Sequence, residues 1–183
     1  HALGYIPAAA LVHIIRAISE KEISLKYAVN DAIGSAERLF SNKPYIKEFM
    51  EIMQKAVTLS ETSTDDLSAI HQLGEGWVAE ETLAIAVYCA LKYQNDFDMA
   101  LRVSVNHNGD SDSTGAVTGN IIGAFLGYNA IPQKYKNNLE LHDIIIEIAD
   151  DLFNDCKISE YSSIKDEVWE KKYIKAEFVR NAH

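Results

Sequence analysis

The sequence predicts an all-α fold. Hydrophobic residues recur at helical spacing along most of the 183 residues, and only three prolines interrupt the pattern. The alternating β-branched runs between turn dipeptides that mark strands are nearly absent. A chain of this length is typical of one domain, so we interpret residues 1–183 as a single all-α domain.

The first three helices are each predicted from a proline or an apolar stripe. Pro7 suits the first turn of a helix, where a missing N–H costs nothing, and residues 8–15 after it are apolar on nearly all sides. We therefore expect a buried first helix. An apolar stripe over residues 25–40 predicts the second helix, and Pro44 begins the third. The third helix is expected to turn inward Ile46, Phe49, Met50, Met53 and Val57.

Loops and capping residues divide the middle of the chain. The polar stretch 60–66 ends in N-cap residues, and residues 74–77 form a second loop. A mostly apolar helix follows over residues 79–93. Asp96 is expected to cap a short helix that reaches Val103.

Two further helices are expected after Pro132, where the composition shifts. The stretch from Leu141 to Phe153 is amphipathic. Ser163, with Asp166 three residues later, resembles a capping box before a last, highly charged helix.

Charge and composition exclude several functional classes. Seventeen Lys and Arg residues against 27 Asp and Glu residues give a net charge of −10. This balance argues against a nucleic-acid or anionic-membrane binder, because such proteins need a basic face. No apolar run approaches the ~18–20 residues of a membrane span. Cys89 and Cys156 are too few for a disulfide framework or a zinc cluster, so we expect reduced core thiols and a cytoplasmic protein.

The first residues indicate an incomplete domain. The sequence starts at His1 and enters an apolar segment within five residues, whereas native N-termini are usually looser and more polar. We therefore expect the sequence to begin in the middle of a domain.

The most informative stretch, residues 106–115, contains two isolated carboxylates. Residues 103–133 carry only two charges, Asp110 and Asp112, where the charged fraction of the chain predicts about seven. Capping of a helix N-terminus explains one of them well. A hard-cation site, in which carboxylate and hydroxyl oxygens bind Mg²⁺ or Mn²⁺, is the alternative. A calcium-binding EF-hand is excluded, because its twelfth position requires Glu and is Ile121 here.

Glycines recur every four residues after this turn. Gly115, Gly119, Gly123 and Gly127 form one stripe along a helix, and each interior glycine costs roughly 0.8–1 kcal/mol relative to Ala. Such a stripe permits the close approach of another helix or of a ligand. We favour helix packing from Gly119 onward.

Residues 106–127 resemble the carboxyl-terminal signature of the ADP-ribosylglycohydrolase family, in which a Gly-Asp-x-Asp-Ser/Thr turn leads into a helix rich in regularly spaced small residues. Residues 73–88 resemble the loop and helix that precede this turn in the family. Residues 1–5 resemble the end of a segment with two nearby histidines, of which His1 matches the second. The resemblance covers residues 1–132.

The resemblance implies an all-α, orthogonal helical bundle truncated at the N-terminus, with residues 1–183 as its carboxyl-terminal portion. It implies Mg²⁺-dependent hydrolysis of an N- or O-glycosidic bond of ADP-ribose at a two-metal cluster, for which Mn²⁺ is the alternative ion. Asp110 and Asp112 match the family's catalytic acidic ligands, and Ser113 stands where the family often has a ligating Thr. The implied substrate-binding residues are His1, Gly74, Gly76, Trp77, Asn106 and Gly109.

The family's N-terminal half carries a Thr-Asp-Asp motif that completes the metal cluster. Thr64-Asp65-Asp66 has the same residues but lies downstream of the His1 segment, and we interpret it as an N-cap loop. The remaining ligands are therefore expected from a separate N-terminal segment or chain. The expected substrate is an ADP-ribosylated protein or a small ADP-ribose conjugate, with no nucleic-acid or membrane partner. The alternative is a non-catalytic, ADP-ribose-binding or structural, crystallin-like member.

Four further side chains are candidates for a role in the site. Glu80 and Glu81 form either an acid/base pair or, in the first turn of a helix, a complement to the helix dipole, which we favour. Trp77 either stacks on an adenine or covers the core. His107 adjoins the acidic turn, which makes it a candidate for a role in the site.

Overall fold

The structure is a computed structural model that describes residues 1–20, 22–154 and 167–175. The chain divides into two compact units, His1–Pro132 and Gln133–His183, and each is described by itself. The described residues form helices and turns but no strand, so the all-α prediction is confirmed. The single-domain interpretation stays a prediction.

Within the described part of the first unit, seven α-helices are followed by one 3₁₀ turn. The expected helices over residues 25–40 and 79–93 are observed, and the helix that Asp96 caps extends to Val105 rather than Val103. The bounds are α1 (Ala2–Glu20), α2 (Leu25–Phe40), α3 (Ile46–Ser60), α4 (Asp66–Leu73), α5 (Ala79–Lys92), α6 (Phe97–Val105) and α7 (Ser111–Leu126), with the 3₁₀ turn at Tyr128–Ala130.

Helix α5 lies at the centre of the first unit. All its residues from Thr82 to Ala90 are buried, as expected for a helix that is apolar on every side. It packs mainly against α3 and α7. Cys89 on this helix is a free, buried cysteine, and burial raises the pKa of its thiol, which confirms the core-thiol prediction for this residue. Cys156 lies outside the described residues.

Helix α1 differs from its prediction in two respects. It begins at Ala2, so Pro7 lies inside the helix rather than in its first turn. Pro7 has no backbone N–H, so the helix lacks one hydrogen bond at this residue. Burial of Ile6 and Ile14, both 0% exposed, offsets the loss. The prediction of burial on nearly all sides was also wrong, because Val12 is 65% exposed. Only one face of α1 packs into the core.

Helix α1 is also long and apolar enough, by length and composition alone, to cross a membrane, with a mean hydropathy of 1.5. The expectation that no segment approaches such a span was therefore wrong for this helix. Its face with Ile6, Ala10 and Ile14 belongs to the hydrophobic core of the first unit. We interpret α1 as a core helix, and the absence of a membrane partner stays a prediction.

The glycine stripe of α7 faces α6. Gly115, Gly119 and Gly123 come one after another along α7, and the α6 side chains nearest to them come in the reverse order along α6. The two helices therefore run antiparallel. The prediction of helix packing is confirmed at Gly119 and Gly123, whereas Gly127 ends the helix with a φ of +79°. The atoms nearest to an added Cβ are Val105 Cγ1 at 2.6 Å from Gly115, Leu101 Cδ2 at 3.6 Å from Gly119 and Phe97 Cε2 at 3.9 Å from Gly123.

The Thr64–Asp66 segment begins helix α4, as predicted. Asp65 is the N-cap residue, and its Oδ1 accepts a hydrogen bond from the backbone N–H of Ser68 at 3.0 Å. Asp66 instead ties α4 to α5 through its side chain. The carboxylate of Asp66 is bonded by the hydroxyl groups of Tyr88 and Tyr93, each at 2.7 Å, and by Lys92 Nζ at 2.9 Å.

The second unit, taken by itself, contains α8 (Gln133–Lys136), α9 (His142–Phe153) and α10 (Glu167–Trp169), which continues into a π-helical turn at Glu170–Ile174. Helix α9 is the predicted amphipathic helix. Lys172 forms ion pairs with Glu147, at 2.7 Å, and with Asp151. The capping box predicted at Ser163 and Asp166 lies outside the described residues.

Candidate functional site

The two carboxylates of the acidic turn lie at the N-terminus of α7. Asp110 is the N-cap residue, and its Oδ1 accepts a hydrogen bond from the backbone N–H of Ser113 at 3.2 Å. Asp112 is exposed in the first helical turn. Hydrogen bonds with the side chain and the backbone N–H of Ser113 lower the pKa of Asp110. Asp110 is therefore ionised at neutral pH, next to the positive end of the helix dipole.

A buried hydrogen-bond network supports the acidic turn. Thr114 is 0% exposed, and its hydroxyl group donates to the carbonyl oxygen of Ser104 at 2.7 Å. His107 Nδ1 accepts a hydrogen bond from the backbone N–H of Gly109 at 3.1 Å, so Nε2 carries the proton and donates to Thr114 Oγ1 at 3.0 Å. Both ring nitrogens of His107 are thus used inside the turn. These two hydrogen bonds hold His107 against the turn, and its role in the site stays a prediction.

The loop 74–78, which precedes α5, requires glycine at two positions. Gly74 and Gly76 have φ values of +122° and +81°, a region that residues with a Cβ rarely adopt. Oε2 of Glu81 accepts hydrogen bonds from the backbone N–H groups of Glu75, at 3.1 Å, and Gly76, at 3.0 Å. Glu81 is therefore more than a complement to the helix dipole, because its carboxylate binds this loop directly.

The glycine loop and the acidic turn are joined through their backbones. The N–H of Asp110 donates to the carbonyl oxygen of Glu75 at 2.8 Å. A Cβ added at Gly109 would lie 1.8 Å from the same oxygen, and one added at Gly76 would lie 2.8 Å from Thr114 Cγ2. Glycine at positions 76 and 109 is what allows the two segments to approach so closely.

A cavity of about 390 Å³ lies where the acidic turn, the glycine loop and α1 meet. Its volume is in the range of small-molecule sites. Asp110 provides a carboxylate, Ser113 and Thr82 provide hydroxyl groups, and Trp77, which is 67% exposed, also lines the cavity. Trp77 therefore does not cover the core. The other lining residues are Gly4, Pro7, Ala8, Leu11, Gly76, Val78, Ala79, Thr82, Leu83 and Val117.

The structure brings four predicted site residues to this one cavity. They are Asp110, Ser113, Gly76 and Trp77. Gly74 and Gly109 shape the backbone around the cavity without lining it, through a positive φ and a close approach, respectively. Asp112 does not line the cavity and lies two residues after Asp110, in the first turn of α7.

Two predicted site residues lie elsewhere. Asn106 ends α6, and its side-chain amide donates to the carbonyl oxygen of Arg102. It lines a second cavity, of about 290 Å³, together with Asp66 and Arg102. The ring of His1 packs against that of Tyr45 with 4.7 Å between centroids. The substrate-binding roles of Asn106 and His1 stay predictions, and neither residue lines the cavity at Asp110.

The wall that α1 contributes was missed by sequence reasoning. Gly4, Pro7, Ala8 and Leu11 follow the i, i+3, i+4, i+7 spacing of one helix face. Three of these four are small or compact, which leaves space beside the helix. The signal is present in the sequence but hard to recognise, because apolar residues also occupy the other faces of this helix.

The donors at the acidic turn fit part of a magnesium site. The carboxylate oxygens of Asp110 and Asp112 and the hydroxyl oxygen of Ser113 are the hard ligands that Mg²⁺ prefers. Among residues 1–20, 22–154 and 167–175, no group of three or more His, Cys, Asp or Glu side chains could hold a metal ion. The described residues therefore offer part of a coordination sphere.

Together, these features define a helical protein whose small-molecule cavity lies at the N-terminus of a glycine-rich helix. The sequence identifies its family more closely. Residues 1–161 match the family model described as ADP-ribosylglycohydrolase, and the chain belongs to this family. The resemblance seen in the sequence is therefore confirmed.

Curated relatives match shorter stretches. The chain is 25% identical over 118 residues to "ADP-ribosylhydrolase ARH3" of Homo sapiens, covering 59% of this chain and 30% of that protein. It is 29% identical over 129 residues to "ADP-ribosylarginine hydrolase Tri1" of Serratia proteamaculans (strain 568), covering 70% of this chain and 33% of that protein. The chain thus spans about a third of the length of the curated relatives it matches. No solved structure gives a significant match.

Proposed function

We propose that the chain provides the carboxyl-terminal part of a Mg²⁺-dependent ADP-ribosyl hydrolase site, which cleaves an N- or O-glycosidic bond of ADP-ribose. One observation carries this proposal: Asp110 and Ser113 line a cavity whose other walls are the glycine loop and α1. Membership of the ADP-ribosylglycohydrolase family and the names of the relatives support the reaction class. The chain is proposed to be cytoplasmic.

Asp110, Asp112 and Ser113 would hold the metal ion. Hydrogen bonding lowers the pKa of Asp110, so this carboxylate is negatively charged at neutral pH. Bound Mg²⁺, or Mn²⁺ with the same oxygen ligands, would orient ribose hydroxyl groups and lower the pKa of a water molecule. Such a cation also lets a protein of net charge −10 accept an anionic diphosphate.

The two carboxylates also suit the charge that develops during glycosidic cleavage. The reaction passes through an oxocarbenium-like state, in which positive charge builds up on the sugar. Asp110 is fixed at the cavity wall as an N-cap residue, so its charge needs little reorganisation. We assign Asp110 and Asp112 the catalytic role and the Gly76–Trp77 segment the role of binding wall.

A further segment is needed to complete the site. The described residues provide no third acidic, His or Cys ligand near Asp110 and Asp112. We propose that a separate N-terminal segment or chain supplies the missing ligands. The proposed substrate is an ADP-ribosylated protein side chain or a small ADP-ribose conjugate, and arginine is the acceptor in the name of one relative.

The incomplete ligand set also favours a second candidate function. Without added ligands, this chain would be a non-catalytic member of the family that binds ADP-ribose or has a structural, crystallin-like role. The cavity with Asp110 and Trp77 is retained in either case. A mass spectrum of the purified sample, searched for a second polypeptide, distinguishes a completed site from an isolated chain.

The deciding experiment measures release of ADP-ribose from ADP-ribosylated arginine and serine substrates, with Mg²⁺ and with EDTA. We expect release that depends on Mg²⁺ when the completing segment is present. Binding of ADP-ribose without release in the presence of that segment would favour the non-catalytic function. The absence of both binding and release in the presence of that segment would exclude the hydrolase and the ADP-ribose-binding role, and would leave only the structural role.

A further inference from the structure

Glu80 and Glu81 are neighbours in the first turn of α5 but have different surroundings. Both side chains are partly exposed. Oε2 of Glu81 accepts hydrogen bonds from two consecutive backbone N–H groups, those of Glu75 and Gly76. Glu80 forms no hydrogen bond to this loop and does not line the cavity in the part of the chain that the structure describes. The two residues thus carry the same charge but make different contacts.

The loop that Glu81 binds has little rigidity of its own. Gly74 and Gly76 both have positive φ, and glycine loses more conformational freedom on folding than any other residue. Charge-assisted hydrogen bonds to one carboxylate oxygen offset this loss, because they are stronger than bonds between neutral groups. The Glu81 side chain lies directly against the backbone of Gly74, since a Cβ added at Gly74 would lie 2.3 Å from Glu81 Cδ.

Glu75 connects this anchor to two sides of the cavity. Its N–H donates to Glu81, and its carbonyl oxygen accepts from the N–H of Asp110 at 2.8 Å. Its carboxylate accepts from Trp77 Nε1 at 3.2 Å. The position of Glu75 therefore affects where both Trp77 and Asp110 lie.

We propose that Glu81 is a positioning residue for this cavity: it fixes Glu75 and, through it, sets the positions of Trp77 and Asp110. Glu81 does not line the cavity, so the geometry does not support an acid/base role for the Glu80–Glu81 pair. The expected effect on ligand binding rests on the proposed function. The expected effect on Trp77 is independent of any ligand.

The fluorescence of Trp77 tests the proposal without a ligand. The chain has two tryptophans, so Trp169→Phe leaves Trp77 as the single tryptophan, which is excited selectively at wavelengths where the nine tyrosines do not absorb. In this background, we expect Glu81→Ala to shift the anisotropy of Trp77 towards that of the unfolded chain. Glu81→Gln keeps a carbonyl oxygen that can accept the same two hydrogen bonds and should restore most of the anisotropy.

Glu80→Ala is the matched control. It removes the same charge from the same helical turn, so it reproduces any loss of interaction with the helix dipole. We expect it to leave the anisotropy of Trp77 unchanged. Equal anisotropy in the Glu80→Ala and Glu81→Ala proteins would overturn the proposal, whether both are lowered or both match the parent protein.

Binding of ADP-ribose, measured by calorimetry in Mg²⁺, provides the second readout. We expect Glu81→Ala to weaken binding about 10-fold or more, Glu81→Gln to restore it to within about 3-fold, and Glu80→Ala to have no effect. If the parent protein does not bind ADP-ribose, the proposed function fails while the fluorescence result still decides the role of Glu81.

Far-UV circular dichroism verifies that each variant folds. If Glu81→Ala is unfolded, Glu81→Met replaces it, because methionine keeps the length of the side chain and removes the acceptor. A folded Glu81→Met protein with lowered Trp77 anisotropy supports the proposal. Unchanged anisotropy in that protein contradicts it.

Discussion

The backbone N–H of Asp110 donates a 2.8 Å hydrogen bond to the carbonyl oxygen of Glu75. This bond joins the acidic turn before α7 to the glycine loop before α5, although α5 and α6 separate the two segments in sequence. Both partners are backbone groups, so no side chain takes part in the bond itself. It depends instead on the close approach that glycine permits at position 109.

Gly109→Ala tests this close approach. The new Cβ would lie 1.8 Å from the Glu75 carbonyl oxygen, so the turn and the loop must separate. We expect the free energy of unfolding to fall by about 2 kcal/mol or more, and ADP-ribose binding to weaken. Urea unfolding curves provide the stability measurement.

Gly4→Ala is the control for stability. A Cβ at Gly4 meets no atom within 4 Å, and the residue lies in α1, where alanine favours the helix. We expect Gly4→Ala to raise the free energy of unfolding by up to about 1 kcal/mol. The free energy of unfolding should therefore fall in Gly109→Ala and rise in Gly4→Ala. Equal destabilisation of both proteins would contradict the packing argument.

The glycine stripe of α7 predicts a contrast within one helix. A Cβ at Gly115 would lie 2.6 Å from Val105 Cγ1, and a β-branched side chain has little freedom to move away. We expect Gly115→Ala to cost about 1–3 kcal/mol through overpacking. A Cβ at Gly123 would lie 3.9 Å from Phe97, an ordinary contact, so Gly123→Ala should be neutral or stabilising by up to about 1 kcal/mol. Thermal unfolding of the two variants measures the difference.

The lowered pKa of Asp66 predicts that the stability of the protein depends on pH. Burial alone would raise the pKa of this carboxyl, but hydrogen bonds from Tyr88, Lys92 and Tyr93 outweigh burial and lower the pKa. A group with a lower pKa in the folded state stabilises the protein above its unfolded pKa, which is 3.8 here. This contribution is lost as the pH falls through the lower, folded pKa.

Asp66→Asn removes this charge and leaves Lys92 without its carboxylate partner, although Lys92 keeps its hydrogen bonds to the Thr64 carbonyl oxygen and the Tyr88 hydroxyl group. We expect a loss of about 1–3 kcal/mol at neutral pH, and a smaller difference from the parent protein as the pH falls below 3.8. Asp65→Asn is the control for the helix cap, because asparagine caps a helix as well as aspartate does; hydrogen bonds with Ser68 also lower the pKa of Asp65, so we expect a weaker pH dependence of the same sign there. A pH-independent effect of Asp66→Asn, measured by urea unfolding, would contradict the assigned cause.

The sequence predicts correctly where neighbouring residues decide the structure. Asp65 and Asp96 are N-caps, as predicted, because a cap needs only an acceptor side chain and the N–H groups of the next turn. The acidic turn is predicted for the same reason, and the regular spacing of Gly119 and Gly123 identifies a face that packs closely.

The sequence predicts less where the exposure or the contacts of a residue depend on segments that are distant in the sequence. The exposed face of α1, with Val12, depends on what packs against the helix, and an apolar run alone does not show it. Tyr88 and Tyr93, which bind Asp66, are 22 and 27 residues away, so no local pattern identifies them. Glu81 lies near its loop in sequence, but its role follows from the fold of that loop around two glycines.

Asp110→Asn separates the two roles of this residue. Asparagine still accepts the hydrogen bond from the Ser113 N–H, so the helix cap and the fold should be retained. It lacks the negative charge that a divalent cation requires, so Mg²⁺-dependent turnover should be abolished in the completed site.

Asp96→Asn makes the matched chemical change outside the cavity. Asp96 caps α6 by accepting a hydrogen bond from the Met99 N–H at 3.0 Å. We expect Mg²⁺ to raise the melting temperature of the parent protein and of Asp96→Asn, because an ion that binds the folded state stabilises it. Asp110→Asn should melt at the same temperature with and without Mg²⁺. Retained Mg²⁺-dependent release of ADP-ribose in a folded Asp110→Asn protein would exclude Asp110 as an essential ligand, since asparagine keeps the cap but has neither the negative charge nor the second oxygen of aspartate.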